Sequence, residues 1–178
     1  LLSDQKTLQA AGVDCVSSQR GGDITLHGPG QLVGYPIVDV SPLGDGYDVV
    51  GHVRRIEGVL IGVLADLGIE AWAEDGFTGV WTAGGKVAAI GVRVSRGVST
   101  HGFAINVSPR MEYFDNIVPC GIEGRPVTSL VELLGHDISI EEGDDCCTLF
   151  MPRRPATHAS VEEVVQAEAS YDVARMGD

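Results

Sequence analysis

An α+β domain is what this sequence predicts, on three observations. One long segment repeats its apolar residues at helical spacing. A series of short β-branched runs, punctuated by glycine, follows it. And 44% of the 178 residues are hydrophobic against 21% charged, a balance that suits one packed core and neither a disordered chain nor a coiled coil.

The helical segment runs from Asp48 to Leu67, where Val49, Val53, Ile56, Leu60, Val63, Leu64 and Leu67 recur every three or four residues. Asp45 or Asp48 is its expected N-cap and Gly68 its stop. Before it, Asp14 to Gln19 reads as a short strand entering the loop RGGDITLHGPGQ at 20–31, and Tyr35 to Val40 as a second strand. After it come strand-like runs at Ile69–Ala73, Gly79–Thr82, Lys86–Val94 and Phe103–Val107, separated by turn residues such as Gly84-Gly85 and Arg96-Gly97. A short helix is expected after Ser108-Pro109 through Phe114, then a loop at IVPCGI, residues 117–122. The last helix starts near Thr128 or Ser129, with Ser129 and Glu132 placed for a capping box. Beyond Glu141 periodicity fades, apart from a weakly helical Val161–Val173. The expected organisation is a domain over 1–140 and a divergent or poorly ordered tail over 141–178.

Charge narrows the function classes. A net charge of −13 argues against a nucleic-acid binder with a broad basic face and suits a cytoplasmic protein. No apolar run approaches the roughly 18 residues needed to span a bilayer, so no membrane partner is expected. Leu1-Leu2-Ser3-Asp4 shows neither an initiator Met nor a signal pattern. Of the four cysteines, Cys146 and Cys147 are adjacent and no pair has C-x-x-C spacing, which predicts reduced thiols. No Cys/His cluster or H-E-x-x-H supports a metal site.

Four features can carry chemistry. RGGDITLHGPGQ sets glycine clusters around Thr25 and His27, which suits a backbone that approaches a ligand and equally a plain hairpin; it is neither a P-loop nor G-x-G-x-x-G. Lys86 is one of only two lysines and stands in the apolar run GGKVAAIGV. A lysine held away from water exchanges its proton more readily near neutrality, while one at a strand end simply snorkels outward. Cys120, between Pro119 and Gly121, is either a small buried hydrophobe or an accessible thiol, with the Gly121 N–H as a candidate oxyanion donor. A thiolate there needs a neighbouring base or cation, for which Lys86, His27 and His101 are the available types. Finally, no acid occurs between Asp75 and Glu112, whereas Lys86, Arg93, Arg96 and Arg110 do, forming a basic island that reads as a docking patch for an acidic partner or as solvated strand arginines.

Taken in order, RGGDITLHGPGQLVGYP, GGKVAAIGVRVSRGVSTHGFAINV and IVPCGI resemble the lipoyl(octanoyl) transferase family, over about Arg20 to Leu134. The resemblance implies an octanoyl-acyl-carrier-protein–protein octanoyltransferase, with octanoyl-acyl carrier protein as donor. The implied acceptors are lipoyl domains of 2-oxoacid dehydrogenases and the glycine cleavage protein. It implies that Cys120 becomes the acyl-thioester and that Lys86 assists its deprotonation and shuttles protons. The implied substrate-binding residues are Arg20, Gly21, Gly22, Asp23, Ile24, Thr25, Leu26 and His27, with Ala89-Ile90-Gly91 and Gly102-Phe103-Ala104. The implied fold is that of biotin and lipoate–protein ligases, a mixed sheet with flanking helices. A thioester donor is already activated, so no cofactor is expected. The family has several dozen residues before the stretch matching Asp14, so an N-terminally incomplete domain is expected. Competing readings are an adenylating lipoate– or biotin–protein ligase, which needs a lysine but no cysteine nucleophile, a Cys–His hydrolase using Cys120 and His101, and a non-catalytic acyl-binding or interaction module.

Overall fold

Helix α2, Val49–Asp66, forms where the apolar periodicity places it. Asp48 caps it, accepting from the Gly51 N–H at 2.8 Å and from Arg55 at 2.9 Å, so Asp48 rather than Asp45 starts the helix. Gly68, at φ +76°, follows the last turn, a left-handed conformation that glycine adopts without steric cost. The apolar stripe of Ile56, Leu60 and Leu64 is buried against a five-stranded sheet.

The computed structural model describes residues 5–10, 12–41, 47–117 and 125–138, together with backbone pairing between 147–148 and 156–157. Its sheet contains β1 (Gln31–Gly34), β2 (Ala71–Glu74), β3 (Phe77–Thr82), β4 (Gly85–Ser95) and β5 (Val98–Asn106) in the order β1-β5-β4-β3-β2. All four ladders are antiparallel. Among the described residues, the parallel contribution to the sheet is a single bridge, Lys86 to Val127. A short helix α1 (Gln5–Ala10), a 3₁₀ turn (Met111–Asn116) and α3 (Leu130–Leu134) complete the described chain. The core joins the α2 stripe to Val80, Val87, Ala88, Ile90, Val92 and Ile105.

Two expected strands are absent. Residues 14–19 carry no regular structure. Tyr35–Val40 makes only an isolated bridge, Asp39 to Val98. Pro36 has no N–H to give a ladder. The Ser99 hydroxyl stands in, donating to Pro36 O at 2.7 Å and accepting from the Val38 N–H at 3.1 Å. The strand next to β5 is instead Gln31–Gly34, in the second half of what reads as a glycine loop. Helix α1 was not expected, since its six residues show no apolar period. The expected capping box at α3 is present: Ser129 accepts from the Glu132 N–H at 3.3 Å, and the Glu132 carboxylate accepts from the Ser129 N–H at 3.2 Å. Most of the 141–178 segment, including Val161–Val173, lies outside the described residues.

Candidate active site

The site is organised by the β4–β5 hairpin. Strand alternation sends Ala88, Ile90 and Val92 into the core and turns Ala89, Gly91 and Arg93 to the opposite face. On that face the chain from Val16 to Gly22 crosses the sheet, held where the Gly21 N–H donates to Val92 O at 2.9 Å. It passes so low that a Cβ on Gly91 would lie 2.8 Å from Gly21 O and from the Arg20 Cδ. Glycine at 91 is therefore a requirement of this crossing.

Between that segment and the sheet lies an open cleft of about 640 Å³. Arg20, Gly22, Thr25 and His27 line it, as do Ala89, Ile90 and Gly91 from β4 and Gly102, Phe103 and Ala104 from β5. The three predicted segments thus face one space, because Ala89, Ile90 and Gly91 are register partners of Ala104, Phe103 and Gly102. Gly21, Asp23, Ile24 and Leu26 are not among the lining residues: Gly21 anchors the crossing chain, and Asp23 is exposed and accepts from the Ile24 N–H at 2.7 Å. Outside the three implied segments, Val16 to Gln19, Tyr35, Arg93, Thr100 and His101 also line it; sequence reasoning gave no sign of Val16 to Gln19, Tyr35 or Thr100. Arg93 and Thr100 are register partners, a signal available only once the hairpin register is known.

The cleft is polarised. Ala89 and Ala104 make one stretch apolar, whereas Arg20, Arg93, His27 and His101 bring positive or titratable groups, and none of the described lining residues is acidic. His27 has its pKa lowered, first by loss of solvent in the cleft and then by Arg20 and His101. His101 holds φ +59° inside β5 and meets Tyr35 edge-to-face at 6.0 Å. A histidine in the left-handed region is a strained residue, a feature that clusters at functional sites.

Lys86 does not line the cleft; it is buried, 4% exposed, near the start of β4. Strict alternation from Ala88 would aim its side chain at the core. The register between β3 and β4 slips by one residue, however, because Val80 pairs with Ala88 while Trp81 pairs with Lys86. Val87 is the extra residue, and it and Ala88 are both fully buried in the core. Lys86 therefore shares the face of Ala89 and Gly91, its Nζ 5.5 Å from the Trp81 ring centre. The chain that emerges at Arg125 is bonded to the Lys86 backbone on both sides: Lys86 N–H to Pro126 O and Thr128 N–H to Lys86 O, each at 3.0 Å. Asn106 ties that segment to β5, donating to Thr128 O at 3.0 Å.

Cys120 and Gly121 fall in 118–124, outside the described residues. The flanks are described. Ile117 is buried and Val127 is bridged to Lys86. Of the basic island, Lys86 is buried near the start of β4, Arg93 lies within β4 at the cleft, Arg96 is in the β4–β5 turn, and Arg110 follows the other end of β5. Seven residues of strand set Arg93 roughly 23 Å from Lys86, so the four cations form no single patch. Among the described residues no group of His, Cys, Asp and Glu could hold a metal, and no helix is long and apolar enough to cross a membrane.

Comparisons with known proteins converge. A family model described as the lipoyl protein ligase A/B catalytic domain matches residues 1–149. The octanoyltransferase of Koribacter versatilis is 50% identical over 145 residues, covering 80% of this chain and 58% of that protein. The octanoyltransferase of Mycobacterium bovis is 52% identical over 134 residues, covering 74% of this chain and 57% of that protein. A crystal structure of lipoate-protein ligase A bound with ATP superposes with a TM-score of 0.56 at 15% identity, covering 92% of this chain and 59% of that one, which shows the shared fold. The chain spans less than two thirds of the length of these proteins.

Proposed function

Because the chain belongs to the lipoyl protein ligase A/B catalytic-domain family, we propose that it carries the octanoyltransferase activity for which its relatives are named. An octanoyl group moves from octanoyl-acyl carrier protein to a lysine of a lipoyl domain, by way of a Cys120 thioester. The observation that carries this reading is convergence: three separate segments face one cleft that is apolar at one stretch, while Lys86 sits buried on the same sheet face, its backbone bonded to Pro126 and Thr128. A roughly 640 Å³ cleft is ample for an eight-carbon chain.

In the proposed reaction the Lys86 amine takes the Cys120 thiol proton. The thiolate attacks the thioester carbonyl, and the tetrahedral intermediate expels the pantetheine sulfur, which leaves with a proton returned from Lys86. The amine of the acceptor lysine then attacks the acyl-enzyme. It surrenders a proton, and the amide forms as Cys120 leaves as thiol. No ATP enters, since the acyl group arrives activated. The acceptors on this reading are lipoyl domains of 2-oxoacid dehydrogenases and the glycine cleavage protein, and the reaction is cytoplasmic.

Intact-protein mass spectrometry after incubation with octanoyl carrier protein tests it. Wild type should gain one octanoyl group, and Cys120→Ser none. Lys86→Arg keeps the charge but is a poor base at neutral pH, so transfer should fall by about tenfold or more. Acylation that persists in Cys120→Ser, or that requires free octanoate and ATP, would overturn the thioester route in favour of an adenylating ligase.

A further inference from the structure

Trp81 is 3% exposed yet stands apart from the core cluster that holds its neighbour Val80. Its indole N–H is buried and has no acceptor among the described residues. What the ring touches is charge. Lys86 is its direct register partner, with Nζ 5.5 Å from the ring centre, and the Arg125 guanidinium lies 5.2 Å from the same ring. Phe77 meets the indole edge-to-face at 6.2 Å, and Arg125 also stacks on Phe77 at 4.7 Å while pairing with Glu74. The ring is thus pinned by Phe77 from its own strand and by Arg125.

Gly79 supplies the clearance. At φ +125° it holds a conformation that side chains disfavour, and a Cβ there would lie 2.5 Å from Lys86 Cε and 2.5 Å from Ala88 O. The Gly79 N–H donates at 3.0 Å to Glu57, a carboxylate only 1% exposed on α2 that also accepts from Arg54 at 2.7 Å. The helix therefore fixes the backbone point past which the lysine arm runs. A lysine has four rotatable carbons, and holding its amine at one place costs rotamer entropy unless the surroundings leave one path.

We infer that Trp81 is a positioning residue for Lys86, seating its Nζ on the indole ring, with Gly79 as the gap that lets the arm reach it. This rests on the proposed proton role of Lys86. Octanoyl transfer is measured for Trp81→Leu, Trp81→Phe, Lys86→Ala and the Trp81→Leu/Lys86→Ala double variant, each with its thermal unfolding midpoint. Trp81→Leu should lower kcat about tenfold or more and leave KM for the carrier within about twofold, since the ring acts on the lysine and not on the cleft. Trp81→Phe keeps a ring and the packing, and should lose about threefold, which reads the effect even if the leucine variant folds poorly. In the Lys86→Ala background Trp81→Leu should cost nothing further.

An unchanged kcat per folded molecule in both Trp81 variants, or the same loss with and without Lys86, overturns the inference and leaves the Lys86 role standing. Full activity in Lys86→Ala instead overturns the role of Lys86 itself, and the seat with it.

Discussion

His52 is buried on α2 with its Nε2 lacking a partner among the described residues. Loss of solvent lowers its pKa, Arg55 lowers it further, and Asp48 opposes both. A histidine whose folded pKa lies below its ordinary 6.5 binds its proton less readily in the native state than in the unfolded one. The stability it contributes is present above that value and is lost as pH falls through the folded pKa. His27 adds a shift of the same sign. Thermal unfolding between pH 7.5 and 5.5 (roughly one unit either side of the free histidine value) should therefore show a falling midpoint, and His52→Leu should flatten the slope. An unchanged slope in His52→Leu would assign the acid sensitivity elsewhere. None of this follows from the sequence, where His52 beside Arg54 and Arg55 reads as a surface residue.

At the scale of the element, β4 and β5 show how backbone clearance shapes the cleft. Gly91 and Gly102 are register partners, and each has another segment lying over it: Arg20-Gly21 above Gly91, Gly34 and Pro36 above Gly102. A Cβ on Gly102 would enter the van der Waals shell of Gly34 O, which is backbone and cannot rotate away. Gly102→Ala is expected to destabilise the domain by about 1–3 kcal/mol in a denaturant titration and to displace the 34–36 segment. A stability within 0.5 kcal/mol of wild type, roughly the neutral range for surface changes, would show that the segment yields freely. Periodicity sufficed for α2, β3 and β4, since each packs its own alternation against one core. It failed for Tyr35–Val40, where a proline and a serine hydroxyl replace ladder bonds. It failed at Lys86 for a subtler reason. One inserted residue, Val87, reverses the face of everything before it, and no local propensity announces a bulge.

Across the whole molecule, the net −13 and the +4 stretch from Lys86 to Arg110 suggest an acidic body with one basic face. Folding divides that stretch. Lys86 is buried, Arg110 goes to one end of the sheet, and Arg93 joins Arg20 at the cleft. If an acidic carrier docks electrostatically, Arg20 and Arg93 are the residues placed to receive it, across sequence positions that look unrelated. Raising ionic strength from about 0.01 M to 0.15 M should raise KM for the octanoyl carrier, and Arg93→Ala should reduce that dependence. A KM insensitive to salt would mean that docking is apolar. Arg110→Ala should leave the salt dependence intact, since Arg110 is not among the residues that line the cleft.

Local spacing and short motifs were enough for the residue types of the chemistry, the amphipathic helix with its cap, the four strands that follow it and the family. Tertiary structure decided which face each residue serves. Antiparallel pairing of β4 with β5 set Ala89–Gly91 beside Gly102–Ala104, and a crossing chain brought Arg20–His27 over them. The β3–β4 slip turned Lys86 toward Trp81 and away from the core. Those are consequences of register, which long-range hydrogen bonding and core burial choose together, and no window of sequence contains them.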